Sequence, residues 1–143
     1  MLIEKLSIGV QSATEAAGRL AVRHRHAYVT PRHLLLAMLG QDDSFAARYL
    51  ELGKIDRAKL MAALEAGLRK VPAASSDAQH TPISRDLEAV FVIAEESLHE
   101  LGNRYIGANH ILLGMLQDAQ VGADLEAAGM QRDAFQTALK AVR

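Results

Sequence analysis

Sliding the 143-residue chain against itself by 77 residues superposes two copies of one pattern. Ser7 falls on Ser84, Ala17 on Ala94, Tyr28 on Tyr105 and His33 on His110. Leu35, Leu36, Met38 and Leu39 fall on Leu112, Leu113, Met115 and Leu116. Further on the register becomes 75, with Leu60 on Phe135, Ala63 on Ala138 and Leu64 on Leu139. The two-residue change falls around residues 40–53, where a turn absorbs it. Such a chain folds as two copies of one unit, and this dictates architecture more than any single motif.

The unit is helical. Leu6, Val10, Ala13, Ala17, Leu20 and Ala21 recur at steps of three and four, as do Ile83, Leu87, Val90, Ala94, Leu98 and Leu101. The apolar half of the composition is mostly Ala and Leu, with 4% aromatic residues, and these are strong helix formers. The fold class is therefore all-α, with two pseudo-symmetric four-helix repeats packed as one domain. The predicted helices are 3–26, 31–40, 43–52 and 56–70, then 83–101, 108–118, 120–128 and 131–142. Thr30-Pro31 reads as an N-cap with proline at the first helical position, and Gly40, Gly53, Gly102 and Gly129 mark helix ends. The second helix of each unit, Leu34–Leu39 and Ile111–Leu116, is apolar nearly all round and is expected at the buried centre. Residues 72–82, with prolines near both ends and no apolar period, read as a linker between repeat one (1–71) and repeat two (83–143).

Most chemistries are disfavoured. The net charge of −1 speaks against a nucleic-acid surface. No apolar run approaches the length of a membrane span, and charges interrupt the N-terminal residues at once, so no membrane partner is expected and the default compartment is the cytoplasm. There are no cysteines, hence no thiol catalysis and no cysteine metal site. Gly53-Lys54 is followed by Ile55, so no nucleotide-binding loop is present and no cofactor is expected. His24 and His26, two apart and flanked by arginines, read as a solvated basic helix end and not as metal ligands. His33 and His110, third in their helices, read as bonding the backbone of the first turn. Charge is unevenly spread: residues 1–71 hold 11 basic and 7 acidic side chains, residues 72–143 hold 5 and 10. That implies different partners for the halves or attraction between them.

One helix carries more apolar surface than its core stripe needs. On residues 83–101, Phe91 and Ile93 lie off the two edges of the stripe and Val92 lies nearly opposite. The first unit has Glu15 and Ala16 where the second has Val92 and Ile93. These residues either pack on the other unit or floor an apolar groove for a peptide or adaptor.

The stretch Tyr28–Leu39 (YVTPRHLLLAML) and its echo Tyr105–Leu116 (YIGANHILLGML) resemble the paired repeats of the Clp N-terminal domain. So do Leu6-Ser7, Val71-Pro72, His80-Thr81-Pro82 and Asp86-Leu87. The opening and linker are most similar to the ClpB branch, while His24-Arg25-His26 is similar to ClpA. The resemblance implies an accessory, non-catalytic domain. It would hold unfolded or aggregated protein segments, or an adaptor, beside a hexameric AAA+ ATPase. It also implies a peptide groove at Ser7, Ile93, Ser97, Asn103, Asn109 and His110. The family often has Glu before the histidine of each unit, where this chain has Arg32 and Asn109, so phosphoarginine recognition is not expected. Two rivals stand beside this reading: a stand-alone adaptor or regulator of the same fold, and a small unrelated hydrolase. The hydrolase would need a pocket joining a serine, a histidine and an acid.

Overall fold

A computed structural model describes residues 2–75 and 81–142; 76–80, the middle of the expected linker and including His80, lie outside the described residues. Among the described residues, a 3₁₀ turn at Leu2–Lys5 is followed by eight α-helices: α1 (Ile8–Arg23), α2 (Pro31–Leu39), α3 (Phe45–Leu52), α4 (Arg57–Leu68), α5 (Arg85–Leu101), α6 (Ala108–Leu116), α7 (Ala119–Ala127) and α8 (Arg132–Lys140).

The expected first helix, 3–26, is cut at both ends. Leu6 leaves helical geometry to bridge Ile106, and Ser7 then caps α1 by accepting the Val10 N–H at 3.2 Å. At the far end Arg25 takes a left-handed conformation (φ 55) and the His26 N–H bonds back to the Ala21 carbonyl, so the helix stops. Apolar periodicity runs through both breaks, which is why it hides them.

The two repeats are interlocked about a pseudo-twofold axis. The Ser7 N–H donates to the Ile106 carbonyl (2.9 Å), and the Ile106 N–H donates to Lys5 (2.7 Å). In the mirror position the Ser84 N–H donates to Val29 (2.9 Å), and the Val29 N–H donates to Pro82 (2.9 Å). The Ser84 hydroxyl caps α5 as Ser7 caps α1. Each repeat thus supplies the segment that pairs with the loop before the other's second helix.

Helices α1 on α2 and α5 on α6 form the tightest pairs, and α4 meets α7 across the repeats. Helix α6 is buried from Asn109 to Leu116, and one continuous apolar core runs through both repeats. Phe91, expected at the edge of the α5 stripe, belongs to that core, whereas Val92 is exposed. The last carbonyls of the buried helices are satisfied by arginines at equivalent positions. Arg57 donates to Leu39 (2.9 Å), and Arg132 donates to Leu116. Among the described residues, the ion pairs joining the halves, Lys5 to Glu95 and Arg32 to Asp124, each run from a first-half cation to a second-half anion. The uneven charge thus acts as attraction between the repeats.

Candidate functional site

The Leu6–Ile106 bridge sets the loop after α5 against the start of α1. Gly102 allows that loop to reverse, because it takes the left-handed conformation (φ 68) that glycine adopts without strain. Between this loop, the N-terminus of α6 and one face of α3 lies a cleft of about 380 Å³. Ser7, Asn103, Asn109 and His110 line it together with Phe45, Tyr49 and Tyr105. Ile93 and Ser97 do not; both are half-buried on α5. Phe45 and Tyr49, four residues apart on α3, hold their rings 6.2 Å apart at 28°. The Arg48 guanidinium stands 5.0 Å from the Phe45 ring. Phe45 is 58% exposed and Tyr105 54% exposed, so part of each ring faces solvent and is not spent on the core.

The polar groups of the cleft hold its shape. His110 accepts the Gly107 N–H on Nδ1 (2.9 Å), and its Nε2–H donates to Asn103 Oδ1 (2.8 Å). Burial lowers the His110 pKa, which keeps the ring neutral. Asn109 is buried and its amide donates to the Leu139 carbonyl. The Ser7 hydroxyl is occupied at the α1 cap. Among the described residues, the cleft joins a serine and a histidine with no carboxylate, and both nitrogens of that histidine are engaged, so the serine–histidine–acid pocket a hydrolase needs is not found among them.

His33 repeats the arrangement in the first repeat. Its Nδ1 accepts the Thr30 N–H (2.9 Å), and its Nε2 lies 2.8 Å from His26 Nδ1. His26, at the position equivalent to Asn103, is thus no solvated helix end but a half-buried partner of His33. Burial, with the nearby His26 and His24, pushes the His33 pKa down to about 4. A base whose folded pKa lies below its ordinary 6.5 contributes stability above that pH and loses it as pH falls toward 4. Stability is therefore expected to decline across this window. Glutamine at the third helical position keeps the reciprocal cap without titrating, so His33→Gln should flatten the decline. Denaturant melts of both proteins from pH 7 to 4 check this.

The pseudo-twofold axis relates this cleft to another, of about 500 Å³, lined by Tyr28, Arg32, Gly67, Ile83, Ser84 and Gln120 among others. Tyr28 stands for Tyr105, Ser84 for Ser7 and Arg32 for Asn109. Helices α3 and α7 follow the 75-residue register, since buried Ala46 and Leu50 match buried Val121 and Leu125. Gln120 thus stands for Phe45, and Asp124 for Tyr49. Arg32 grips Asp124 with two hydrogen bonds, Nε to Oδ2 (2.8 Å) and Nη2 to Oδ1 (3.2 Å), and Nη1 reaches Gln120 (3.4 Å). The hydrogen bond to Asp124 raises the guanidinium's pKa further.

Residues 5–128 match the family described as the Clp repeat (R) N-terminal domain. The chain belongs to this family. Among curated relatives, a chaperone protein ClpB of Bdellovibrio bacteriovorus is 30% identical over 135 residues, covering 93% of this chain and 16% of that protein. A ClpB of Clostridium tetani is 28% identical over 148 residues, covering 100% of this chain and 17% of its own. The Clp N-terminal domain described here thus spans about a sixth of the length of the relatives it matches. Among solved structures, the Hsp104 N-terminal domain from Candida albicans superposes with a TM-score of 0.82 at 18% identity, covering 94% of this chain and 89% of that one. A ClpV N-domain in complex with a VipB peptide superposes with a TM-score of 0.73 at 20% identity, covering 94% and 84%. These likenesses are of fold. Clp N-terminal domains are non-catalytic modules of AAA+ unfoldases. Among the described residues no helix is long and apolar enough to cross a membrane.

The aromatic members of the cleft are absent from the groove expected by sequence. A signal existed: Phe45 and Tyr49 are an i, i+4 pair in a chain with three Phe and three Tyr. Three of those six residues line this cleft.

Proposed function

We propose that the chain is the peptide-docking domain of a ClpB-type unfoldase, and that the Phe45–Tyr49–Tyr105 cleft is where it docks unfolded segments or adaptor peptides. The observation that carries this is the gathering of half the chain's Phe and Tyr side chains around one cleft that has no carboxylate among its described lining residues. A fold neighbour solved with a peptide supports it. In this reading Ser7, Asn103, Asn109 and His110 shape the polar rim. Repeat one (1–71), linker (72–82) and repeat two (83–143) form one module beside hexameric AAA+ ATPase rings in the cytoplasm. A few partly buried side chains, less the cost of ordering a peptide, give about micromolar affinity, suited to handing clients onward.

The test is Phe45→Asp, which sets a charge on the cleft wall at a position already exposed. Affinity for an unfolded, leucine- and phenylalanine-rich peptide should fall about tenfold, equal to about 1.4 kcal/mol, with thermal unfolding nearly unchanged. Ile93→Asp is the comparison: it should leave affinity unchanged because Ile93 stands outside the cleft. Loss of binding in Ile93→Asp but not in Phe45→Asp would move the site to α5.

A further inference from the structure

We infer that the Arg32–Asp124 ion pair bars apolar peptides from the second cleft, so that the domain carries one peptide although its fold builds two clefts. This rests on the peptide-docking reading of the first cleft. Size is not the barrier, since the second cleft is the larger, about 500 Å³ against 380 Å³. Chemistry is. Where the first cleft presents the Phe45 and Tyr49 rings, the second presents Gln120 and Arg32, whose guanidinium is held by Asp124, with Lys70, Arg85, Asp86 and Glu88 on its other walls. The side chains of Arg32 and Asp124 keep 17% and 10% exposure. An apolar residue seated there would strip the remaining water from both charges and return no hydrogen bond.

The residues around the pair are shaped to it. A Cβ on Gly67 would lie 2.2 Å from the Arg32 guanidinium carbon, so the arginine lies in the space this glycine leaves. The matching position in the other repeat is Val142, whose side chain lines the first cleft. Four register-matched positions therefore differ in one consistent sense: Arg32, Gly67, Gln120 and Asp124 against Asn109, Val142, Phe45 and Tyr49.

The experiment uses the 143-residue chain and a fluorescein-labelled peptide rich in leucine and phenylalanine. Calorimetric titration should give one peptide per domain. The triple variant Arg32→Asn, Gln120→Phe, Asp124→Tyr, which gives the second cleft three of those four first-cleft side chains and removes the ion pair, should give two. A nitroxide on the peptide should broaden amide signals of Asn103 and Tyr105 in the unaltered domain and spare those of Tyr28 and Gly67. A folded triple variant that still binds one peptide overturns the inference and leaves the first cleft standing. Two peptides on the unaltered domain, or equal broadening at Gly67 and Tyr105, overturn it as well. If the triple variant does not fold, the broadening pattern decides alone. No binding by the unaltered domain removes both readings together.

Discussion

Arg32→Leu, made alone, is expected to destabilise the domain by about 3–5 kcal/mol, because it leaves the Asp124 carboxylate buried without its partner. Asp124 is 8% exposed and accepts two hydrogen bonds from Arg32. Removing both charges should cost far less, since apolar or neutral side chains of similar volume replace a buried pair with little loss. The measurement is a double-mutant cycle in urea over Arg32→Leu, Asp124→Leu and the pair. A single-variant loss under about 1 kcal/mol would mean the pair behaves as an exposed surface bridge.

Gly114→Ala is the second large effect. A Cβ at Gly114 would stand 2.5 Å from the Val90 carbonyl oxygen, and a backbone atom in a packed helix has no rotamer by which to yield. Helices α5 and α6 would have to separate, at about 1–3 kcal/mol or more. The first repeat has alanine at the equivalent Ala37, so its own helix pair already accommodates a methyl group there. Ala37→Gly should therefore cost only the helix-propensity difference, about 1 kcal/mol, plus the small loss of one partly buried methyl, with no helix separation. Thermal melts of the two variants side by side test the contrast. Equal losses would remove the close α5–α6 approach as the cause.

What the sequence made legible was what repetition and periodicity encode. The eight helices, the burial of Ile111–Leu116 and the capping role of His33 and His110 all follow from local pattern. The break at Leu6-Ser7 did not, because Leu6 is apolar whether it continues a helix or pairs with Ile106. The Arg32–Asp124 contact joins residues of different repeats, and the excess of positive charge before residue 72 implied only attraction of that sense, not the partners. Ile93 stood out on a helical wheel, and in the structure it is half-buried on α5 and not among the residues that line the cleft. The cleft instead takes its walls from α3, from the start of α6 and from a loop fixed by a bridge to the chain's beginning. The Phe45–Tyr49 pair was legible as an i, i+4 aromatic pair on one helix, in a chain poor in aromatics, with Phe45 exposed and Tyr49 half-buried.

The crossed bridges, Leu6 with Ile106 and Val29 with Ile83, are the contacts two separate identical chains would make in an isologous homodimer. In such a dimer every substitution appears twice, so its two grooves are necessarily alike. Fusion of the copies into one polypeptide lifts that constraint while keeping the geometry. An arginine at position 32 no longer obliges an arginine at position 109. The interlock and the shared core also tie the two repeats into one packed framework even as their surfaces diverge.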